Sequence, residues 1–139
     1  MRIFALVALL AGLASAQPSF AQSEADGIAI RSAIGAQLDA FNRDDSGAAY
    51  GFAAPNVKAI FQTPEIFMRM VQLGYAPVYC SSAHIFGGLE EIGGSLTQRV
   101  FITDAAGESW LALYTVARQP DGSWKITGCS LARRPGESV

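Results

Sequence analysis

The sequence predicts an α+β fold, in which N-terminal helices pack on an antiparallel meander of four strands. Up to about residue 74 the apolar residues recur with a helical period, and from about residue 83 they alternate as they do in strands. Short turn signals separate the strand-like segments, and short links force neighbouring strands to run antiparallel. Helices that precede all strands are typical of α+β domains, whose helices cover one face of the sheet.

Three helices are expected before the sheet. Ser23 can cap the first helix, which carries an apolar stripe at spacings of three and four residues. Thr63 can cap the third, and the proline and acid that follow it support that start. The first helix is expected to run to about Arg43, a short second one to pass through Tyr50 and end at Pro55, and the third to end at Gly74, with residues 57–61 either extended or helical.

Four strands follow, and residues that favour turns separate them. The dipeptide Gly93-Gly94 is a hairpin signal, and residues 104–107 form a second turn. In Pro120-Asp121-Gly122 the proline presets one backbone angle and the glycine supplies a positive φ. The strands are expected at residues 83–92, 95–103, 108–118 and 123–132.

The third strand is apolar on both of its faces. Trp110 and Tyr114 point to one side, and Leu111 and Leu113 point to the other. A sheet with one solvated face would carry polar residues on that face. We therefore expect the second face to be covered, and a homodimer through the sheet face would cover it.

The first sixteen residues have the pattern of a secretory signal peptide. A basic residue precedes 11 apolar residues (3–13), and small residues at positions 14–16 form a cleavage site. A second site at residues 19–21 leaves open whether the mature chain begins at Gln17 or Gln22. The apolar run is too short for a membrane span, which needs roughly 20 residues, so we expect an exported, periplasmic or secreted protein without a stable membrane anchor. The domain is expected at residues 23–132, with a C-terminal tail at residues 133–139.

Charge and cysteine content limit the classes of partner. The net charge is −2, and it becomes −3 once residues 1–16, with one basic group and no acid, are removed. A mildly acidic domain offers no basic face to the phosphates of a nucleic acid, so no nucleic-acid partner is expected. The two cysteines, Cys80 and Cys129, leave open either one disulfide or two separate thiols.

Four segments carry a resemblance to a known family: LDAFNRDD (residues 38–45), AAPNVKAIF (53–61), PEIFMRMVQLGYAPVY (64–79) and WLALYTVARQPDGSWKITGC (110–129). They resemble the bacterial domain-of-unknown-function family 4864, whose name implies no activity. Helices followed by a meander that ends in an Asp-Gly-x-Trp hairpin also resemble the nuclear-transport-factor-2-like (NTF2-like) fold. That fold implies a curved sheet wrapped round a long helix, which forms a cone with a pocket at its wide end.

The NTF2-like resemblance also bears on the cysteines. It implies that the strand after the third helix lies at one sheet edge and that the last strand lies near the middle. Cys80 and Cys129 would then start far apart, whereas a disulfide needs Cα atoms within roughly 7 Å. The resemblance therefore speaks against a bridge between them.

Titratable side chains form no clear catalytic set. His84 is the only histidine and a weak candidate for a general base, with a locally hydrogen-bonded edge histidine as the alternative. The acids fall at helix starts, turns and strand ends, and none falls plainly on an inward-facing stripe. One histidine and two separated cysteines have no metal-ligand spacing, and no glycine-rich loop opens a helix after a strand. Neither a metal nor a cofactor is predicted.

Aromatic residues are the remaining signal for a site. Aromatic residues can line a pocket whose apolar walls and few hydroxyl groups bind small hydrophobic ligands. Alternatively, these aromatic residues fill the core. Tyr79 and His84 are expected at a pocket mouth, because they flank the passage from the third helix into the sheet. The other candidate lining residues are Tyr50, Tyr75, Phe86, Trp110, Tyr114 and Trp124.

These observations favour a non-catalytic exported domain that binds a small molecule or a partner in a cone-shaped pocket. One alternative is a lyase or isomerase that uses His84 and tyrosine donors. The other alternative is a structural subunit of a homo-oligomer that works through its sheet face.

Overall fold

The computed structural model describes residues 23–134, in which five helices precede one sheet of four strands. The helices are α1 (Glu24–Asn42), α2 (Ser46–Gly51), α3 (Pro55–Ile60), α4 (Pro64–Gly74) and α5 (Ala76–Tyr79). The strands are β1 (Ser81–Ile92), β2 (Ser95–Asp104), β3 (Ser109–Arg118) and β4 (Trp124–Arg133). This order confirms the predicted α+β class. The predicted leader and the last five residues of the predicted tail lie outside the described residues.

Side-chain caps fix the starts of three helices. The Ser23 hydroxyl accepts a hydrogen bond from the Asp26 amide at 3.1 Å, and Thr63 does the same for Ile66 at 3.2 Å. Such caps satisfy backbone donors that have no partner inside the helix, and each contributes about 1 kcal/mol. Asp45 caps α2 in the same way, and the helix starts predicted at Ser23 and Thr63 agree with the structure.

Two proline-containing helices differ from the prediction. Pro55 was expected to end the second helix, but α2 already ends at Gly51 and Pro55 is the first residue of α3. Proline suits that position because its missing N–H would have no partner in the first turn. Pro77 lies in the first turn of α5, a four-residue helix that was not predicted after the stop at Gly74.

The sheet is a meander with strand order β1-β2-β3-β4, as predicted. The strands begin and end within two residues of the expected positions, and β4 continues to Arg133, which was expected to open the tail. The NTF2-like resemblance implied that the last strand lies near the middle, but β4 is an edge strand.

A β-bulge shifts the register of β4 against β3. Val116 pairs with Ile126, whereas the next pair is Thr115 with Gly128, so Thr127 is the extra residue. The Thr127 and Thr115 hydroxyl groups are hydrogen-bonded to each other at 2.8 Å. Because side chains alternate between faces, one extra residue moves every later side chain of β4 to the opposite face.

The segment between α2 and α3 pairs with the outer edge of β4. Ala53 forms a short parallel bridge with Ile126. The Ala54 amide donates to the Ile126 carbonyl at 2.8 Å, and the Ile126 amide donates to the Phe52 carbonyl at 2.9 Å. The two outward backbone groups of Ile126, which an edge strand would leave unpaired, are thereby used to hold the helical layer against the sheet.

Two side chains strengthen this connection. The Asn56 amide nitrogen, at the start of α3, donates to the Thr127 carbonyl at 3.0 Å. The Lys125 ammonium donates to the Gly51 carbonyl at the end of α2, at 2.7 Å. The helical layer and β4 thus each donate a side-chain hydrogen bond to the other's backbone. These bonds fix where α3 lies relative to β4.

The two faces of the sheet differ in burial. The face towards the helices contains the buried side chains of Val100, Ile102 and Tyr114. On the other face Ile85 is 70% exposed and aligns with the half-buried Phe101 and Leu111 on the neighbouring strands. The apolar character predicted for both faces of β3 is thus present, and the homodimer through the outer face stays a prediction.

The β2–β3 turn is organised by one carboxylate. Asp104 accepts hydrogen bonds from the amides of Ala106 (2.9 Å) and Glu108 (2.8 Å), and from the Trp110 indole (2.9 Å). These donors, the Trp110 indole first, lower the pKa of Asp104 below its ordinary value of 3.8. A folded-state pKa below the unfolded value stabilises the protein above about pH 3.8, and that stabilisation is lost as the pH falls through the folded-state pKa.

We predict that Asp104→Asn is less stable than the wild type at neutral pH and that this difference narrows in acid. Urea unfolding at pH 7 and at about pH 2.5 measures the difference. Asp39→Asn, at an exposed position of α1, is the control. A stability difference for Asp104→Asn that stays constant over this pH range would contradict the role given to its carboxylate.

Candidate functional site

A cavity of about 320 Å³ lies between the helices and the inner face of the sheet. Its wall comes from α1, α3, α4 and α5 on one side, and from Tyr114 of β3 and residues 126–129 of β4 on the other. Its volume lies at the lower end of the range for small-molecule sites, roughly 300–1,000 Å³. The cavity is therefore large enough for a small ligand.

Aromatic rings form one wall of this cavity. Phe67 of α4 has ring-centre distances of 6.1 Å to Phe41 and 6.5 Å to Phe61, and all three residues line the cavity. A fourth ring, Tyr50, packs behind Phe67 at 5.6 Å. These distances lie within the range of favourable aromatic pairs, so the wall is held by ring–ring contacts as well as by burial.

The cavity opens to solvent beside α3. Ile60 lines the cavity and is 70% exposed, and Asn56, one turn earlier, is also exposed and lines it. The opening was expected at Tyr79 and His84 instead. The unpredicted helix α5 turns the chain before β1, and its buried Val78 reaches the cavity where Tyr79 was expected to do so.

Buried polar groups lie deeper in the wall. Gln37 of α1 is buried, and its amide nitrogen donates to the Ala49 carbonyl at 3.1 Å. Tyr114 is 1% exposed, and its hydroxyl has no hydrogen-bond partner within residues 23–134. This hydroxyl is shielded from solvent, so it is not part of the surface that a ligand in the cavity would contact.

Cys129 is the direct cross-strand neighbour of Tyr114. Both residues face the cavity, because the β4 bulge turns Cys129 inwards. Burial raises the pKa of the Cys129 thiol to about 12. Burial also raises the pKa of Tyr114 well above its ordinary value, and the neighbouring Cys129 sulfur adds to that shift. Both groups therefore stay protonated and uncharged at neutral pH.

The lining as a whole carries no formal charge. Among the described residues that line the cavity, none is Asp, Glu, Lys, Arg or His. The described part of the chain also contains no group of three or more residues that could hold a metal ion. The cavity can therefore offer hydrogen bonds and apolar contact, and the lining supplies no general acid or base with a pKa near neutrality.

Two of the candidate residues from the sequence line the cavity. They are Tyr114, already described, and Tyr75, which is half-buried between α4 and α5. Tyr50 and Tyr79 are not among the described lining residues, and their hydroxyl groups are hydrogen-bonded elsewhere. Tyr50 donates to the Phe61 carbonyl at 2.7 Å, and Tyr79 donates to the Asp44 carboxylate at 2.9 Å.

The remaining candidates pack elsewhere on the sheet. His84 is half-buried on β1, where its ring meets the edge of Phe86 at 5.2 Å. Trp110 donates its indole N–H to Asp104, and the Arg133 guanidinium lies over its ring at 5.9 Å. Neither of these two residues is among the described lining residues. Phe86 and Trp124 pack against the core cluster and also lie outside the lining.

Both cysteines are within the described residues, and both are free thiols. Cys80 is exposed at the end of α5, and Cys129 lies in the cavity wall on the opposite sheet edge. The disulfide that the sequence left open is therefore not formed in this structure.

Sequence reasoning missed most of the lining, including the phenylalanine wall of Phe41, Phe61 and Phe67 and the two polar residues Gln37 and Cys129. Gln37 lies three residues after Ile34 on the buried stripe of α1, so the helical period contained a signal for it. Cys129 reaches the cavity only because of the β4 bulge. A strand register counted from the turn at residues 120–122 would have placed it on the outer face.

Comparison with known proteins gives one result. A family model described as a domain of unknown function (DUF4864) matches residues 23–139. The chain belongs to the DUF4864 family. No curated protein and no solved structure matches this DUF4864 chain. The predicted family is thereby confirmed, while placement of the DUF4864 domain in the wider NTF2-like superfamily stays a prediction.

No helix within residues 23–134 of the DUF4864 chain is long and apolar enough to cross a membrane.

We predict that the two thiols of the DUF4864 domain react at very different rates. The thiolate is the reactive form, so exposed Cys80 should be alkylated quickly by N-ethylmaleimide at neutral pH, and half-buried Cys129, whose pKa is raised, far more slowly. Peptide mass spectrometry over time measures both rates, and Cys80→Ser should show no fast reaction. Alkylation of native Cys129 as fast as Cys80 would contradict the buried, protonated state described above.

Proposed function

We propose that this DUF4864 protein is an exported binding domain that holds a small, uncharged, largely apolar molecule in the cavity between its helices and its sheet. The observation that carries the proposal is the cavity itself, about 320 Å³ in volume, open beside α3 and lined without a formal charge. Cavities of this kind bind ligands by removing apolar surface from water, which contributes roughly 25 cal/mol of free energy per Å².

The size of the cavity limits the ligand. If each heavy atom takes roughly the 30 Å³ that a water molecule occupies in the liquid, the cavity holds about ten heavy atoms. The aromatic wall around Phe67 favours a flat or cyclic ligand, because ring–ring contacts add to simple burial. A single substituted ring meets both requirements.

The absence of charge from the described lining argues against ionic ligands. A carboxylate or ammonium group that enters such a cavity loses its hydration and finds no opposite charge. The same lining gives no support to the alternative of a lyase or isomerase. His84 packs against Phe86 on β1, so it does not converge with Tyr75 or Tyr114 in the cavity.

Export is part of this proposal and is supported by the N-terminal sequence pattern. Cleavage would leave a chain that begins at Gln17 or Gln22. An intact-mass measurement on protein recovered from outside the cytoplasm distinguishes either mature form from an uncleaved chain that begins at Met1, which would contradict export.

Blocking the cavity should abolish binding. Val57 of α3 is half-buried and lines the cavity beside its opening, so the larger ring in Val57→Trp should obstruct the opening and occupy much of the space. Toluene serves as the first probe in a panel of uncharged single-ring compounds, with the thermal unfolding midpoint as the measurement. A ligand at 100 times its Kd stabilises the wild type by about 2.7 kcal/mol, which raises the midpoint by several degrees, and Val57→Trp should show no such rise.

Leu73→Trp is the matched control for this experiment. Leu73 is 79% exposed on α4 and is not among the described lining residues, so this variant should respond to the panel as the wild type does. The proposed function fails if no panel compound raises the wild-type midpoint, or if Val57→Trp responds as strongly as Leu73→Trp.

A further inference from the structure

We infer that the ligand carries a neutral hydrogen-bond donor, a hydroxyl or an N–H group, which donates to the side-chain oxygen of Gln37. This inference rests on the proposed function, and it narrows the ligand from any uncharged molecule to phenols, alcohols and similar compounds. It starts from Gln37 because this polar residue of α1 lines the cavity and is only 3% exposed.

The two ends of the Gln37 carboxamide are used differently. Its nitrogen donates to the Ala49 carbonyl at 3.1 Å, and this bond fixes the orientation of the group, because only the nitrogen end of a carboxamide can donate. Within residues 23–134 no backbone or side-chain group donates to the oxygen at the other end. The protein therefore holds the carboxamide in place and leaves its acceptor unused.

The Gln37 oxygen is open to the cavity. Within residues 23–134 two side-chain polar atoms are sealed from solvent without a hydrogen-bond partner, the Gln98 oxygen and the Tyr114 hydroxyl, and the Gln37 oxygen is not one of them. It therefore keeps accessible surface. Because Gln37 is otherwise buried and lines the cavity, this surface faces the cavity, where a ligand can reach it.

The aromatic wall lies beside this acceptor. Phe41 follows Gln37 by four residues on α1, so the two side chains are neighbours on one face of the helix, with Cβ atoms about 5–6 Å apart. Phe41 in turn packs against Phe67 at a ring-centre distance of 6.1 Å. A ligand ring that packs against this wall brings a hydroxyl substituent within reach of the Gln37 oxygen.

The charge of the donor follows from the rest of the lining. An ammonium group would donate more strongly, but the described lining has no carboxylate to balance its charge after desolvation. A hydrocarbon would separate the Gln37 oxygen from water and leave it without a partner, which costs free energy. A neutral O–H or N–H group avoids both costs.

Three single-ring ligands of the same size test this inference. p-Cresol, p-xylene and benzylammonium have the same number of heavy atoms and carry a neutral hydroxyl, no polar atom or a cation. Calorimetry measures the dissociation constant of each for the wild type and for Gln37→Met, which keeps an unbranched side chain and removes its oxygen. Gln37→Met also removes the donor to Ala49, but a change in packing that follows affects p-cresol and p-xylene alike. The ratio of their two affinities therefore reports the hydrogen bond.

Gln37→Met should weaken p-cresol binding about fivefold or more relative to p-xylene binding. Benzylammonium should not bind detectably to the wild type at concentrations that saturate it with p-cresol. Gln72→Met is the matched control, because Gln72 is an exposed glutamine of α4 that is not among the described lining residues, and it should leave the affinity ratio unchanged.

A second measurement needs no substitution. A carbonyl carbon shifts in NMR spectra when its oxygen accepts a hydrogen bond, so the side-chain carbonyl carbon of Gln37 should shift further with p-cresol than with p-xylene.

The outcomes separate this inference from the proposed function. If p-cresol and p-xylene both bind, but Gln37→Met leaves their affinity ratio unchanged and the Gln37 carbon responds equally to both, the donor inference is wrong and the proposed function stands. If neither compound binds the wild type, or if benzylammonium binds as tightly as p-cresol, both fall together.

Discussion

The cavity depends on the attachment of the α2–α3 segment to the edge of β4. Ile126 both donates and accepts a backbone hydrogen bond there, and side chains from Asn56 and Lys125 add two more contacts. Each such bond contributes roughly 0.5–1.5 kcal/mol, and together they fix α2 and α3 beside the sheet edge. An edge strand that would otherwise present unpaired backbone groups thus becomes one side of the cavity wall.

The same edge of the sheet also decides which β4 side chains reach the cavity. The bulge at Thr127, held by the hydroxyl pair with Thr115, lies directly beside the attachment and turns Cys129 inwards next to Tyr114. Burial raises the pKa of the Cys129 thiol and of Tyr114, so both groups stay uncharged in this part of the wall.

The sequence was a good guide to the fold because local signals agree with the final structure. The caps at Ser23 and Thr63 and the glycine turn at residues 93–94 are formed by neighbours in sequence, so they could be predicted without knowledge of tertiary contacts. The short helices α3 and α5 were harder, since proline at a helix start and proline at a helix end look alike when the helix has fewer than two turns.

The site was harder to predict than the fold, because the lining of the cavity depends on strand register rather than on residue type. Choosing aromatic residues found Tyr75 and Tyr114 but also took in Tyr50 and Trp110, whose polar atoms are already hydrogen-bonded to the protein. Cys129 shows the reason most clearly, since a single extra residue in β4 decides which face it occupies. No pattern in this single sequence predicts that bulge.

The proposed binding requires that the space between α3, α4 and β4 be an accessible cavity in solution. Xenon binds apolar protein cavities without needing polar partners, so amide NMR spectra recorded under xenon pressure test this accessibility directly. We expect saturable shifts at Val71, Gly128 and Cys129, and none at outer-face residues such as Leu113. Spectra without saturable shifts at the cavity residues would contradict it.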